Sequence, residues 1–363
     1  MKTIMLAFGT RPEAIKMCPV IKELKRRSDV KTVVCITGQH REMLDQILKV
    51  FEVNPDYDLS IMIPNQTLFD ITTSILNQIK TILEQIKPDT VLVHGDTSTT
   101  FAVALACFYL KIPVGHVEAG LRTYNIFSPY PEEFNRQAVG ILAKYHFAPT
   151  KFSANNLLTE GKDASSIYIT GNTAIDALST TVKKDYTHPH LDWVSGSRLI
   201  MLTAHRRENL GEAMHNIFKA IRRIVDEYTD VKVIYPVHMN PIVRNIANEE
   251  LSGCESIRLI DPLDVCDFHN FLAQSYMIVT DSGGIQEEAP SLGKPVLVLR
   301  DTTERPEGIK AGTLKLVGTD EENVYKHLKL LLENQDVFNS MSQAINPYGD
   351  GLASKRIADI CCS

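Results

Sequence analysis

Short, continuously apolar runs alternate with amphipathic segments along nearly the whole chain, and this alternation constrains the fold more than any other feature. Ile4–Phe8 reads as a strand, followed by a helix from about Pro12 to Arg27. Lys31–Ile36 is a second strand, with helices expected at about Gln39–Phe51 and Leu68–Ile86. Thr90–Val93 and Pro113–Val117 flank a helix at Ser98–Leu110, and Tyr145–Ala148 and Ile167–Thr170 repeat the pattern. Strands without polar alternation are buried on both faces, the mark of a parallel sheet covered by helices on each side.

After Gly171 the pattern restarts. Residues 176–197 are polar, contain Pro189, Trp193 and Gly196, and read as a connecting stretch. Leu199–Thr203, Val231–Tyr235, Ile257–Ile260, Met277–Thr280 and Pro295–Leu299 then read as further parallel strands. The expected fold class is α/β, with two Rossmann-like doubly wound domains facing a cleft. The expected bounds are 1–171 and 172–350, with a terminal helix in 351–363 that packs back on the first domain. The length, 363 residues, suits two domains of about 150–200 each.

Charge narrows the function classes. The formal net charge is −6 and no basic block occurs, which excludes a nucleic-acid footprint. An anionic ligand must therefore be held by a few placed cations and backbone amides. The apolar run after Lys2 is too short for a secretory signal, and no apolar stretch approaches the roughly 20 residues that span a bilayer, so a cytoplasmic protein without membrane attachment is expected. The seven cysteines form no CxxC pair, so neither a metal site nor a disulfide framework is indicated.

Ligands of open α/β sheets bind beyond the carboxyl ends of the strands, and the informative residues lie there. Gly9-Thr10-Arg11-Pro12-Glu13 follows the first strand, and Arg11 and Lys16 stand near a helix start, where an anion is favoured. Asp96 ends His94-Gly95-Asp96, Glu118 follows His116-Val117, and Glu132 opens Glu132-Glu133-Phe134-Asn135-Arg136. Each alone suits a helix cap or first turn. Three carboxylates from one rim can perturb one another and divide into acid and base. In the second domain, Thr203-Ala204-His205-Arg206-Arg207 offers a histidine and planar guanidinium groups to phosphate oxygens. Pro236-Val237-His238-Met239-Asn240 adds His238 and Asn240 to the same rim. Asp281-Ser282-Gly283-Gly284 leads into a helix whose exposed N–H groups suit phosphate, and Glu288 lies one turn on, placed to accept from ribose hydroxyls.

The set GTRPEAIKM, HGDTSTT, HVEAGLRT, PEEFNR, HRREN, PVHMNP and DSGGIQEEAP, in this order, closely resembles the non-hydrolysing UDP-N-acetylglucosamine 2-epimerases. The resemblance runs from residue 3 to about 355. It implies the glycosyltransferase-B fold, a homodimer, and no metal or other cofactor. It also implies interconversion of UDP-GlcNAc and UDP-ManNAc in cell-surface polysaccharide synthesis, by elimination of UDP to 2-acetamidoglucal and re-addition. Carried over by motif, Asp96, Glu118 and Glu132 are the acid–base set, and His205 and Arg11 stand by the diphosphate. Ser282, Gly283 and Gly284 bind phosphate, and Glu288 the ribose. Lys16, Arg136, Arg206, His238 and Asn240 complete the expected substrate contacts.

One departure bears on regulation. Many bacterial members of the resembled family bind a second UDP-GlcNAc as activator through Gln-His-Arg-Gln and an Arg before Gln-Thr-Leu. Here Gln39-His40-Arg41 is followed by Glu42, and Asn65 precedes Gln66-Thr67-Leu68. The expectation is that this activation is absent or takes another form. Three rival readings stand beside the epimerase: a hydrolysing 2-epimerase that releases UDP and ManNAc, a retaining glycosyltransferase, and a non-catalytic sugar-nucleotide sensor. Neither of the last two has a use for three first-domain carboxylates.

Overall fold

The computed structural model describes residues 1–38, 41–303 and 305–363, and within these all side chains except those of residues 41–43. The chain divides into two compact units, Met1–Thr180 with Tyr348–Ser363, and Thr181–Pro347. Among the described residues no helix is long and apolar enough to cross a membrane.

The first unit is built on strands β1 (Lys2–Phe8), β2 (Val30–Ile36), β3 (Tyr57–Asp58), β4 (Thr90–His94), β5 (Val114–Val117), β6 (Tyr145–Ala148) and β7 (Ile167–Ile169). They pair in parallel in the order β3-β2-β1-β4-β5-β6-β7. Residues Ile4 to Phe8 of β1 have no exposed surface, which is why the sequence there lacks alternation. Met5, Ala7, Val33 and Val91 face the helices Leu68–Ile86 and Ser98–Tyr109 in one apolar cluster. Each fully buried side chain of this size contributes about 1.5–3 kcal/mol relative to exposure.

The second unit repeats the plan with β8 (Arg198–Thr203), β9 (Val231–Pro236), β10 (Ile257–Ile260), β11 (Met277–Thr280), β12 (Val296–Val298) and β13 (Leu314–Leu316), ordered β10-β9-β8-β11-β12-β13. Alternate residues of β8 serve opposite layers. Ile200 and Leu202 pack with the helices Glu212–Glu227 and Glu321–Glu333, whereas Leu199 and Met201 pack with Phe271, Leu272 and Ile285. In both units the order reverses beside the first strand, between β1 and β4 and between β8 and β11. That reversal opens a crevice at the carboxyl ends of those strands.

Two expectations are corrected. Residues 176–197 are not a plain connection: helices span Thr173–Thr181 and Pro189–Val194. Pro189 starts the second of these, His188 caps it by accepting from the His190 N–H, and its Leu191 and Val194 are buried. The boundary between units falls at 180/181 and 347/348, whereas 171/172 and 350/351 were the expected bounds. Polar contacts explain the shift. The Asn172 N–H donates to the Tyr348 carbonyl at 2.7 Å. The Asp176 carboxylate accepts from the N–H groups of Ala353 at 3.3 Å and Ser354 at 2.7 Å. The terminal helix Ala353–Cys362 lies against Arg11–Lys25 in the first unit.

The loop after β1 leaves no room for a side chain at Gly9. A methyl there would stand 2.0 Å from Thr37 Oγ1 and 2.6 Å from Thr99 Oγ1. Those two hydroxyls share a buried hydrogen bond of 2.9 Å, so neither turns away freely. A Gly9→Ala variant is expected to lose about 1–3 kcal/mol of stability, read as a lowered urea midpoint.

Candidate active site

Both loops at the first unit's switch point are tied to one buried carboxylate, Glu13. One Glu13 oxygen accepts from Gly9 N at 3.0 Å, Thr10 N at 2.8 Å and Thr10 Oγ1 at 2.8 Å. The other accepts from Thr97 Oγ1 at 2.8 Å and Thr100 Oγ1 at 3.2 Å. Burial raises its pKa, and the bonds from Thr97, Gly9 and Thr10 only partly oppose this. Glu13 is thus a clamp between the loops that carry Arg11 and Asp96. Arg11 itself is half-buried.

Glu118 follows β5 directly, with φ at +63°, a left-handed conformation that costs a side-chain-bearing residue roughly 1–2 kcal/mol. Its carboxylate pairs with the Lys16 ammonium, accepts from Asn172 Nδ2 at 3.2 Å, and lies 3.4 Å from His94 Nε2. Asp96 binds the Arg136 guanidinium through Nη2 at 2.5 Å and Nε at 3.2 Å. Burial raises the Asp96 pKa. Arg136 opposes this, while the charges of Glu118 and Glu132 add to it. The three predicted carboxylates therefore form one electrostatic set.

Glu132 and Glu133 open the helix Glu132–Leu142 together but differ in use. Glu132 remains partly exposed. Glu133 is buried and accepts from Thr123 N and Tyr124 N, both at 3.0 Å, from Gln137 Nε2 at 2.7 Å and from Arg136 Nη1 at 3.2 Å. Burial pushes its pKa up, but these partners outweigh burial and hold it below the ordinary carboxylate value. Arg136 thus bridges Asp96 and Glu133, and Glu133 fastens the preceding loop to the helix.

In the second unit the corresponding anchor is Asp281, at the end of β11. Its Oδ2 accepts from the backbone N–H groups of His205 and Arg206, each at 2.8 Å, and from Asn209 Nδ2 at 3.2 Å. The His205 ring stacks on His238, with centroids 5.4 Å apart and planes 11° from parallel. Burial lowers the His205 pKa. Asp281 opposes this, and His238 and Arg206 reinforce it. Ser282 N donates to Thr280 Oγ1 at 2.9 Å, and Gly284 caps the short helix Ile285–Glu288. Glu288 lies 3.5 Å from the buried His269 Nε2. Asn240 is engaged as a helix cap, accepting from Ile242 N at 3.0 Å.

Arg11, Asp96, His205 and Asp281 follow the switch-point strands β1, β4, β8 and β11, whereas Glu118 and His238 follow the neighbouring strands β5 and β9. Of the residues predicted for regulation, Gln39 and the side chain of Glu42 lie outside the described residues. Asn65 is an exposed turn residue with φ at +61°. Sequence reasoning missed the anchors Glu13, Glu133, Asn172 and Asp281. Glu13 was legible as the third residue after a Thr cap. Asn172 and Asp281 carry no local signal of this kind. Among the described residues, ligand atoms close enough for a metal occur at His215, Glu249 and Glu250. His215 Nδ1 already pairs with Glu250 at 2.7 Å. The group sits on the helices Glu212–Glu227 and Pro241–Leu251, not at a strand end.

Three buried histidines, His94, His116 and His146, line β4, β5 and β6. Burial pushes His116 down to about 3 and His94 and His146 down to about 4. With folded values below the ordinary 6.5, they stabilise fully above pH 6.5, and that contribution is lost as pH falls toward 4. The raised carboxyls of Glu13 and Asp96 act with the opposite sign, so the histidine effect is best read by difference. The stability advantage of the natural chain over a His116→Gln variant is expected to shrink between pH 6.5 and 4, measured by urea midpoints.

The family model for UDP-N-acetylglucosamine 2-epimerase matches residues 22–361. A Bacillus subtilis (strain 168) protein named UDP-N-acetylglucosamine 2-epimerase is 61% identical over 356 residues, covering 98% of this chain and 94% of its own. The crystal structure of a Listeria monocytogenes protein superposes with a TM-score of 0.95 at 55% identity, over 98% of this chain and 95% of that one. UDP-GlcNAc 2-epimerase from Neisseria meningitidis, whose crystal structure is bound to UDP-GlcNAc, is 50% identical with a TM-score of 0.88, and 99% of each chain is covered. The fold class is accordingly two Rossmann-like units of the glycosyltransferase-B type.

Proposed function

The chain belongs to the UDP-N-acetylglucosamine 2-epimerase family, and on that premise we propose that it inverts C2 of UDP-GlcNAc without hydrolysis, giving UDP-ManNAc reversibly. The observation that carries this reading is the coupled set Asp96, Glu118 and Glu132 in one unit. A transferase or sensor has no need of three such carboxylates, two of them, Glu118 and Asp96, held against Lys16 and Arg136.

The chemistry divides between the units. The C2 proton of the sugar is not acidic, so the bond from C1 to the diphosphate oxygen must break ahead of its removal or with it. The electron pair of that bond leaves with UDP, and a carboxylate of the first unit takes the C2 proton. The product is 2-acetamidoglucal. UDP then adds back at C1 while a second carboxyl delivers a proton to the opposite face of C2. Arg11, His205, Arg206 and the N–H groups of Ser282, Gly283 and Gly284 stabilise the charge that grows on departing UDP, the largest demand of the reaction. Glu288 takes the ribose hydroxyls. Ion pairing suits the proton transfers. Lys16 stands beside Glu118 and offsets its charge, whereas burial favours the protonated form of Asp96.

A homodimer is part of this reading. Phe69, Phe108, Tyr109 and Ile141 are 84%, 57%, 68% and 75% exposed on the neighbouring helices Leu68–Ile86, Ser98–Tyr109 and Glu132–Leu142. Exposed large apolar side chains on adjacent helices suit a subunit contact. Sedimentation of a Phe108→Asp variant is expected to show the 40.6 kDa monomer, against twice that mass for the natural chain.

Proton NMR of the enzyme with UDP-GlcNAc in D2O tests the reaction. The expected result is UDP-ManNAc with deuterium at C2 of both sugars. Accumulating UDP and free ManNAc would make the enzyme hydrolytic, and a C2 proton that never exchanges would point to glycosyl transfer. An Asp96→Asn variant should keep UDP binding by calorimetry and lose on the order of 10²–10⁴-fold in turnover.

A further inference from the structure

Asp281 has no exposed surface, and its two oxygens differ in use. Oδ2 is occupied by the three donors described above, two of which are the backbone N–H groups of His205 and Arg206. Oδ1 accepts no hydrogen bond among the described residues. Nδ1 of the His205 imidazole lies 3.3 Å from it. A buried acceptor left without a donor costs about 1–3 kcal/mol, so a proton on Nδ1 is favoured over a lone pair facing a lone pair. The ring has little freedom to escape this choice. Its own backbone is bonded to the same carboxylate, and His238 stacks on its face.

We infer that Asp281 is the positioning residue of His205, keeping the imidazole proton on Nδ1 so that Nε2 is the atom offered to the ligand. The inference rests on the reading that His205 meets the diphosphate. In the neutral ring Nε2 then presents a lone pair, and on protonation it presents an N–H to the leaving oxygen of UDP. The groups that face His205 are Asp281 from the end of β11, His238 from beyond β9, and Arg206 from its own loop. Asp281 supplies the negative charge of that set, and it lies on the Nδ1 side. It therefore compensates an imidazolium whose Nε2–H is directed at UDP. The arrangement has the logic of the histidine–aspartate pair in serine proteases, where the carboxylate fixes the tautomer and stabilises the imidazolium without taking the proton.

The test is a long-range proton–nitrogen correlation spectrum of the ligand-free enzyme carrying ¹⁵N-histidine, recorded near pH 8 where the ring is neutral. The His205 signals are identified by their loss in a His205→Gln variant. A proton on Nδ1 is the expected result, whereas the Nε2–H tautomer or an even mixture would overturn the inference. This readout needs neither turnover nor a folded Asp281 variant. A failure of the epimerase reading, seen as no UDP-ManNAc from the natural chain, is thus separable from a failure of this one. In a folded Asp281→Asn variant the tautomer ratio should move toward Nε2–H, and kcat should fall on the order of 10²-fold or more. UDP affinity should change by much less. An unchanged tautomer with unchanged kcat in that variant would equally overturn the assignment.

Discussion

Two buried carboxylates hold the working loops of this protein, one in each unit. Glu13 and Asp281 each accept two consecutive backbone N–H groups from the loop after the first strand of their sheet: Gly9 and Thr10 in one case, His205 and Arg206 in the other. The physical demand is common to both. A parallel sheet ends its central strands in a crevice, and the chain that leaves each strand carries amide donors with no ladder partner. A carboxylate satisfies several of them at once and fixes the loop's course. Arg11 and His205 are positioned by these anchors, and neither sequence position would be meaningful without them.

The same crevice sets the electrostatics. Strand ends deliver Asp96 and Glu118 into partial burial, which penalises their charges, and the helices deliver compensating cations. Lys16 comes from the helix after β1 and pairs with Glu118, and Arg136 comes from the helix Glu132–Leu142 and pairs with Asp96. The result is a set of carboxyl groups on one rim in unlike surroundings, with the proton affinity of Asp96 raised by burial. Behind them stand three neutral histidines, which fill polar positions in the core without adding charge.

Much of this was written in local sequence. Strands β6, β10 and β11 begin and end where the sequence places them, because short runs dominated by apolar and β-branched residues between helical segments register as strands. The helix Leu68–Ile86 is bounded by its own signals, a Thr67 cap and a left-handed Lys87. Two of the edge strands, β3 and β13, were not legible. β3 has two residues and β13 three, too short for any period to register. The helix Pro189–Val194 hid in a polar stretch because its apolar pair, Leu191 and Val194, is only one turn long. The end of the first unit was displaced for a similar reason: Asp176 holds Ala353 and Ser354 across 177 and 178 positions.

The sequence by itself determined the fold class, the two-unit plan and the chemical types gathered at the strand ends. Those depend on near-neighbour periodicity and on residue identity, which a linear reading contains. Only the tertiary structure decided which groups are paired and which are anchors. It set Glu133 rather than Glu132 into burial, gave Glu118 its three partners, and brought Asp281 to the backbone of His205 across more than seventy positions. Such choices depend on distances between residues remote in the chain and on the loss of water around them, and both exist only once the sheets have formed.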